Sequence, residues 1–231
     1  MNPGRYKKVS KTLTEGGEYK NGRPVNPKIE KLIYLPCTTQ LVSIMVAIDQ
    51  EVPNMEVDAF QNGEVRKINL HDYRGKWLVI VFYPADFSFV CPTELEELAH
   101  YYEDFKAAGA EVMSASTDTV YSHKAWHEMS PTISKIKFPM LADPPGKLCR
   151  IFGTYVEDSG LSLRGSFIID PDGRIKSFEI TENSIGRNMK ELLRRLNAAA
   201  YVREHPGEVC PVNWEKDKKT IKPSMDIVGK L

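Results

Sequence analysis

Trp77-Leu78-Val79-Ile80-Val81-Phe82-Tyr83-Pro84-Ala85-Asp86-Phe87-Ser88-Phe89-Val90-Cys91-Pro92-Thr93-Glu94-Leu95-Glu96-Glu97-Leu98-Ala99 is the stretch that decides how this chain folds. Its first seven residues are an unbroken apolar run rich in β-branched and aromatic side chains, the pattern of a strand buried on both faces. Pro84 ends the run. Pro92 then suits the first position of a helix, and Glu94 suits its first turn, where a carboxylate meets the positive end of the helix dipole. Leu95, Leu98, Tyr102 and Phe105 keep helical spacing as far as Ala108-Gly109, where the glycine stops the helix. A buried strand, a short loop and a helix N-terminus therefore converge on Cys91. Backbone N–H groups left unpaired at such a terminus favour a thiolate over a thiol, and the thiolate is the nucleophilic form of cysteine. The plain alternative is a small cysteine packed in the core. Placement alone also suits a thioredoxin-like disulfide reductase, but such enzymes use a second cysteine in C-x-x-C spacing, and position 94 is Glu.

Working outward, the sequence predicts a strand over 111–116, a short helix over 123–129, a strand over 138–142 and a helix over 146–152. The turn Asp170-Pro171-Asp172-Gly173 joins strands at 166–169 and 174–180 into a hairpin, and the last long helix covers 188–204. This order makes one layered α/β domain, a mixed sheet between helices. Residues 1–44 show no sustained period and many turn formers, so they read as an appended, mostly disordered arm. Met45 stands at the join and is itself a candidate start. The expected division is an arm over 1–44, a globular domain over 45–205 and a C-terminal tail over 206–231.

Composition narrows the function classes. The 231 residues hold 31 basic and 31 acidic side chains and are 42% hydrophobic, enough for a core and without the net charge of a nucleic-acid binder. The balance is uneven: residues 1–44 carry eight basic against three acidic side chains, and the rest 23 against 28. The longest apolar stretch, residues 32–48, is interrupted by Pro36, Thr38, Thr39 and Gln40, so it does not read as a membrane span. No secretory signal pattern opens the chain, so a reducing, cytoplasmic setting is the expectation. The four cysteines, Cys37, Cys91, Cys149 and Cys210, are too few and too far apart for a disulfide scaffold or a local zinc site. Cys37 lies in the arm and reads as incidental. Cys149 sits on the apolar face of a short helix and reads as a packed thiol. His123 and His127, one helical turn apart, lack a third metal ligand. Trp126 between them reads as packing, and the Lys216, Lys218, Lys219 run as solvated charge.

Residues 82–94 resemble the peroxiredoxin active-site motif P-x-x-x-[TS]-x-x-C. Gly207-Glu208-Val209-Cys210-Pro211 is similar to that family's resolving-cysteine motif, and Arg164-Gly165-Ser166-Phe167-Ile168-Ile169-Asp170 to the segment carrying its active-site arginine. The likeness runs from about Met45 to the C-terminus and is nearest to typical 2-Cys peroxiredoxins of the alkyl hydroperoxide reductase C type. It implies a thioredoxin-like fold with a C-terminal extension. It also implies a peroxidase for hydrogen peroxide and organic hydroperoxides, with Cys91 as the attacking residue and Cys210 as the resolving one. By the same resemblance Arg164 holds the sulfur anionic and donates to the peroxide, Ser88 supplies a hydroxyl, and Pro84 shields the site from water. Glu94 and Arg187 orient Arg164. Nothing in spacing alone selects Arg164 or Arg187. Ser88 stands where threonine is commoner in the family.

The resemblance further implies a disulfide to the partner protomer in a head-to-tail homodimer, which can assemble into a ring of five dimers. Thioredoxin or a dedicated flavoprotein reductase would return the disulfide to thiols, and no metal, haem or bound flavin is implied for this chain. Family members that over-oxidise readily carry a Gly-Gly-Leu-Gly segment and a C-terminal Tyr-Phe. This chain has Ser130-Pro131-Thr132-Ile133 in the first region and ends Val228-Gly229-Lys230-Leu231, which implies resistance to over-oxidation through a less restrained tail. A holdase role or a disulfide-reductase role stays open on sequence grounds.

Overall fold

The computed structural model describes residues 46–230, together with Tyr19–Lys20 (β1) and Arg23–Pro24 (β2), which pair antiparallel with each other. The expectations for the rest of the arm, for Cys37 and for Met45 lie outside the described residues. From residue 46 the chain runs β3 (Glu56–Gln61), β4 (Glu64–Asn69), β5 (Trp77–Phe82), α1 (Cys91–His100), α2 (Tyr102–Ala107) and β6 (Ala110–Ser116). It continues through α3 (Val120–Met129), β7 (Met140–Ala142), α4 (Lys147–Ile151), β8 (Tyr155–Val156), β9 (Leu161–Ser162), β10 (Arg164–Ile169), β11 (Ile175–Thr181) and α5 (Met189–Glu204).

Seven strands form one mixed sheet in the order β11-β10-β5-β6-β7-β3-β4. β5, β6 and β7 are mutually parallel, and the outer strands join antiparallel. All six side chains of β5 are buried, as the apolar run requires. Val79 and Val81 face a cluster built with Leu95 and Leu98 of α1, Trp126 of α3 and Leu192 and Leu196 of α5. Leu78, Ile80 and Phe82 face a second cluster with Leu148 of α4, Phe152, Phe167 and Ile169. Each aliphatic or aromatic side chain so buried is worth about 1.5–3 kcal/mol, so β5 is the spine on which both layers rest.

Several boundaries shift for local reasons. The single helix expected after Cys91 is kinked at Tyr101 into α1 and α2, although the bonds Tyr101 N to Glu97 O and Phe105 N to Tyr101 O bridge the kink. α3 starts at Val120, because the Thr119 hydroxyl caps it by accepting from Ser122 N. β7 starts only at Met140, since Pro139 has no N–H for the ladder. The hairpin β3–β4 was not expected from the sequence. Its turn is Asn62-Gly63, both at positive φ (53° and 85°), the two-residue turn whose twist suits a hairpin. The alternation is faint because the first four of the six β4 residues are exposed.

The C-terminal tail expected over 206–231 is, over its described residues 206–230, tied back on itself and to α5. Val209 and Ile221 exchange two backbone hydrogen bonds of 2.9 and 3.0 Å. Between them Trp214 is buried, its Nε1 donating to Lys218 O and its own carbonyl accepting from Arg194 Nη1 of α5. Among the described residues no helix is long and apolar enough to cross a membrane.

Candidate active site

Cys91 is the first residue of α1 and is 0% exposed, on the face of the sheet that also carries Val79, Val81 and Tyr83. Val90, which precedes it, offers no capping side chain, so the positive end of α1 meets Cys91 and Glu94 directly. Arg164 enters from the first residue of β10, the strand hydrogen-bonded to β5. Its Nη1 donates to Cys91 Sγ at 3.4 Å and to Glu94 Oε2 at 2.8 Å. Its Nε and Nη2 both donate to the carbonyl of Asn183, at 2.9 and 2.7 Å.

Arg187 closes the group from the loop before α5. Its Nε donates to Glu94 Oε1 at 2.9 Å and its Nη2 to Glu94 Oε2 at 2.8 Å, while its backbone N–H also reaches Glu94 Oε1 at 2.8 Å. Nη1 of Arg187 is spent on Gly165 O and Ser166 Oγ. Gly165 is required here by close approach: a Cβ would lie 2.6 Å from the Thr154 methyl and 2.8 Å from the Phe167 ring. Exposures of 3% for Arg164, 2% for Glu94 and 8% for Arg187 place three full charges in the interior. Burial pushes the Glu94 carboxyl up. The hydrogen bonds and charge of Arg187, joined by the charge of Arg164, more than offset this and hold it below the ordinary glutamate value.

The charge count is informative. Two guanidiniums and one carboxylate leave a buried net charge of +1 beside the sulfur, and buried charge is costly unless matched. A thiolate at Cys91 makes the group neutral.

The loop from Pro84 to Val90 is fastened at Asp86. Asp86 Oδ1 accepts from Tyr83 Oη at 2.8 Å, Oδ2 lies 2.8 Å from His123 Nδ1, and the Asp86 N–H donates to Asp118 Oδ2. Phe87 next to it has φ +52°, a costly conformation for an aromatic residue, with its ring against Trp126. Pro84 is buried at the base of this loop. The Ser88 hydroxyl donates to Ala85 O at 2.8 Å, which leaves its oxygen lone pairs as acceptors.

Cys91, Glu94, Arg164 and Arg187 are thus brought together, with Ser88 and Pro84 on the adjoining loop. Cys210 is elsewhere: its Sγ packs 4.0 Å from Ala198 O, along α5. Cys149 is buried, and burial, with the Asp143 carboxylate beside it, pushes its thiol up to about 12. His123 and His127 do not face one another. His123 is buried between Asp86 and Leu141 O, and His127 lies against Ile136 O. No group of three metal-ligating side chains occurs among the described residues. Sequence reasoning missed Asn183 and Asp86. Asn183 acts through its backbone carbonyl, which carries no residue-type signal, whereas Asp86 was visible within the quoted motif.

The chain matches the AhpC/TSA family over residues 48–178 and the C-terminal domain of 1-Cys peroxiredoxin over residues 200–230. It is 48% identical over 187 residues to alkyl hydroperoxide reductase C of Escherichia coli (strain K12), a match spanning 81% of this chain and all of the relative. The corresponding Pseudomonas aeruginosa protein is 46% identical over the same lengths. Among solved structures, Enterococcus faecalis AhpC aligns with a TM-score of 0.70 and 49% identity over 72% of this chain and all of that one. The reduced 2-Cys peroxiredoxin of Plasmodium vivax aligns with a TM-score of 0.74 and 31% identity over 79% of this chain and 96% of that one.

Proposed function

The chain belongs to the AhpC/TSA family of peroxiredoxins and is a thiol-dependent peroxidase, and from that premise we propose that Cys91 attacks the peroxide while Arg164 stabilises both the sulfur and the oxygens. The observation that carries this reading is the buried +1 group that a Cys91 thiolate neutralises, with Arg164 Nη1 at 3.4 Å from the sulfur. Of the five N–H bonds of Arg164, four are spent on Asn183 O, Glu94 and Cys91. The second N–H of Nη2 has no acceptor among the described residues and is free for a peroxide oxygen. Ser88 Oγ, its own proton committed to Ala85 O, accepts from the peroxide O–H.

The Cys91 thiolate attacks one oxygen of the hydroperoxide in line, the O–O bond breaks, and the alkoxide or hydroxide leaves and takes up a proton as alcohol or water. Cys91 is left as sulfenic acid. Glu94 and Arg187 keep Arg164 in place, so the donors are fixed before the charge moves. Pro84 and the fastened loop exclude bulk water from the sulfur.

Cys210 then condenses with the sulfenic acid to give a disulfide and water. Two observations support the Cys210 of a partner protomer. Within one chain Cys210 packs at Ala198, nine positions and so about 14 Å along α5 from its first residue, Met189, while the charged group meets the chain at Arg187, before that helix begins. β11 is an edge strand of the sheet, and beyond Ile175, whose N–H and carbonyl bond Gln50 and Asp49, it pairs with no further strand among the described residues, so a second copy can add its strand there. A dithiol reductase, thioredoxin or a flavoprotein, restores the two thiols by exchange. Cysteine usage supports a reducing, cytoplasmic setting.

Peroxide consumption with thioredoxin and its reductase tests the assignment. Cys91→Ser is expected to fall to the uncatalysed background. Cys210→Ser is expected to keep the first turnover and lose the dimer-sized disulfide band on a non-reducing gel. Full turnover by Cys91→Ser would overturn it.

A further inference from the structure

Arg164 is held from behind by the segment between β11 and α5. Its Nε and Nη2 bonds end on one acceptor, the carbonyl of Asn183, at 2.9 and 2.7 Å. Asn183 and Ser184 are the middle residues of a turn closed by Ile185 N, which donates to Glu182 O at 3.1 Å. The carbonyl that meets Arg164 and the N–H of Ser184 belong to one peptide unit, and across a trans peptide they point in opposite directions. That N–H donates to Glu182 Oε2 at 3.0 Å, and the Ser184 hydroxyl donates to the same oxygen. A carboxylate and a guanidinium therefore grip the two ends of one peptide group, and each polarises the bond that the other makes.

The middle peptide of a β-turn is the group that reverses between the two common turn types, and the reversed form needs a positive φ at the third residue. Ser184 is not one of the residues at positive φ, and its Cβ opposes the reversal. Reversal would turn the Asn183 carbonyl away from Arg164 and release Nη2, the nitrogen whose second N–H is free for the peroxide. Nη1, which faces the Cys91 sulfur, is fixed separately by Glu94 Oε2 at 2.8 Å. We infer that Glu182, an exposed residue outside the buried charged group, is a positioning residue for peroxide attack: through the 183–184 peptide it aims the peroxide-facing nitrogen of Arg164 and leaves the sulfur's own partner untouched. The Ser184 bonds, joined by the charge of Arg164, hold the Glu182 carboxyl below the ordinary glutamate value, so it is ionised at neutral pH. This inference rests on Arg164 meeting the peroxide.

Two reagents separate the roles. A hydroperoxide uses both the sulfur and the aimed Nη2, whereas iodoacetamide alkylates the sulfur with no use for that nitrogen. The reduced full-length protein is mixed rapidly with each, and loss of the Cys91 thiol is followed by quenching and mass spectrometry. In Glu182→Ala the peroxide reaction is expected to slow about three- to tenfold, the effect of one hydrogen bond, while alkylation stays within about twofold of the parent. Glu182→Gln keeps an oxygen for the Ser184 N–H and is expected to recover most of the rate. Ser184→Gly keeps the N–H but lets the peptide reverse without opposition from a Cβ, so it slows the peroxide reaction in the same sense. It keeps the test decisive if Glu182→Ala does not fold. An unchanged peroxide rate in whichever of these two variants folds, or a loss shared equally by both reagents, overturns the inference. An Arg164→Lys protein that reacts with peroxide at the parent's rate would instead remove Arg164 from the reaction, a separate failure.

Discussion

The two sulfurs of this peroxidase sit in opposite kinds of surroundings. Cys91 is enclosed by regular elements: the start of α1, the β10 strand paired to the central β5, and a buried charged group in which Arg164 and Arg187 both bond Glu94. Cys210 is held by a loop with one bridge, one buried tryptophan and a glutamate whose partner Lys222 is 81% exposed. Under the proposed mechanism the difference separates two demands. A nucleophile gains from fixed donors that need no rearrangement, and a thiol that must travel gains from contacts that open at modest cost.

The comparison breaks most readily at Glu94. Glu94→Gln leaves the two buried guanidiniums without the carboxylate both of them bond, with only the Cys91 thiolate against their charge, and should cost about 3–5 kcal/mol of stability, read as a lowered denaturation midpoint. A loss no larger than for a surface substitution would mean the charged group is not the rigid half of the molecule. Arg164→Lys comes next. A lysine keeps the charge but not the fork that reaches Asn183 O, Glu94 and the sulfur together, so peroxide reaction should slow about 10²–10³-fold with the fold intact. An unchanged rate would show that charge alone suffices.

Acid sharpens the contrast from the other side. Glu208 has a folded-state value of about 2 against an ordinary 4.5, so the stability its bonds to Thr220, Tyr201 and Lys222 contribute is complete above 4.5 and is lost as pH falls towards 2. Trp214 fluorescence should therefore change across that window in the parent and not in Glu208→Ala. A matching change in both would assign it to other groups. The smallest effect belongs to Cys149. With its thiol pushed up to about 12 and buried, Cys149→Ala should leave peroxide turnover unaltered. A loss of the disulfide band in this variant would make it a resolving thiol.

What could be read from the sequence follows how local each feature is. The β5 run and the Cys91-Pro92-Glu94 helix start lie within adjacent residues, so periodicity and helix chemistry reveal them without any tertiary contact. Arg164 reaches a sulfur 73 positions away, and only family resemblance singled it out. The Asn62-Gly63 turn was a readable hairpin signal, passed over because β4 exposes most of its residues. The C-terminal loop has no period at all. Its order comes from single residues, Trp214 and Glu208, whose partners lie on α5 and beyond the loop, so a stretch that reads as loose is packed.

The most direct test of the account is disulfide mapping by mass spectrometry after one equivalent of hydroperoxide is added to the reduced protein. The account predicts a single major cross-linked pair of peptides carrying Cys91 and Cys210, formed between two chains. A cross-link containing Cys149, or peroxide consumed with Cys91 left as a free thiol, would contradict it.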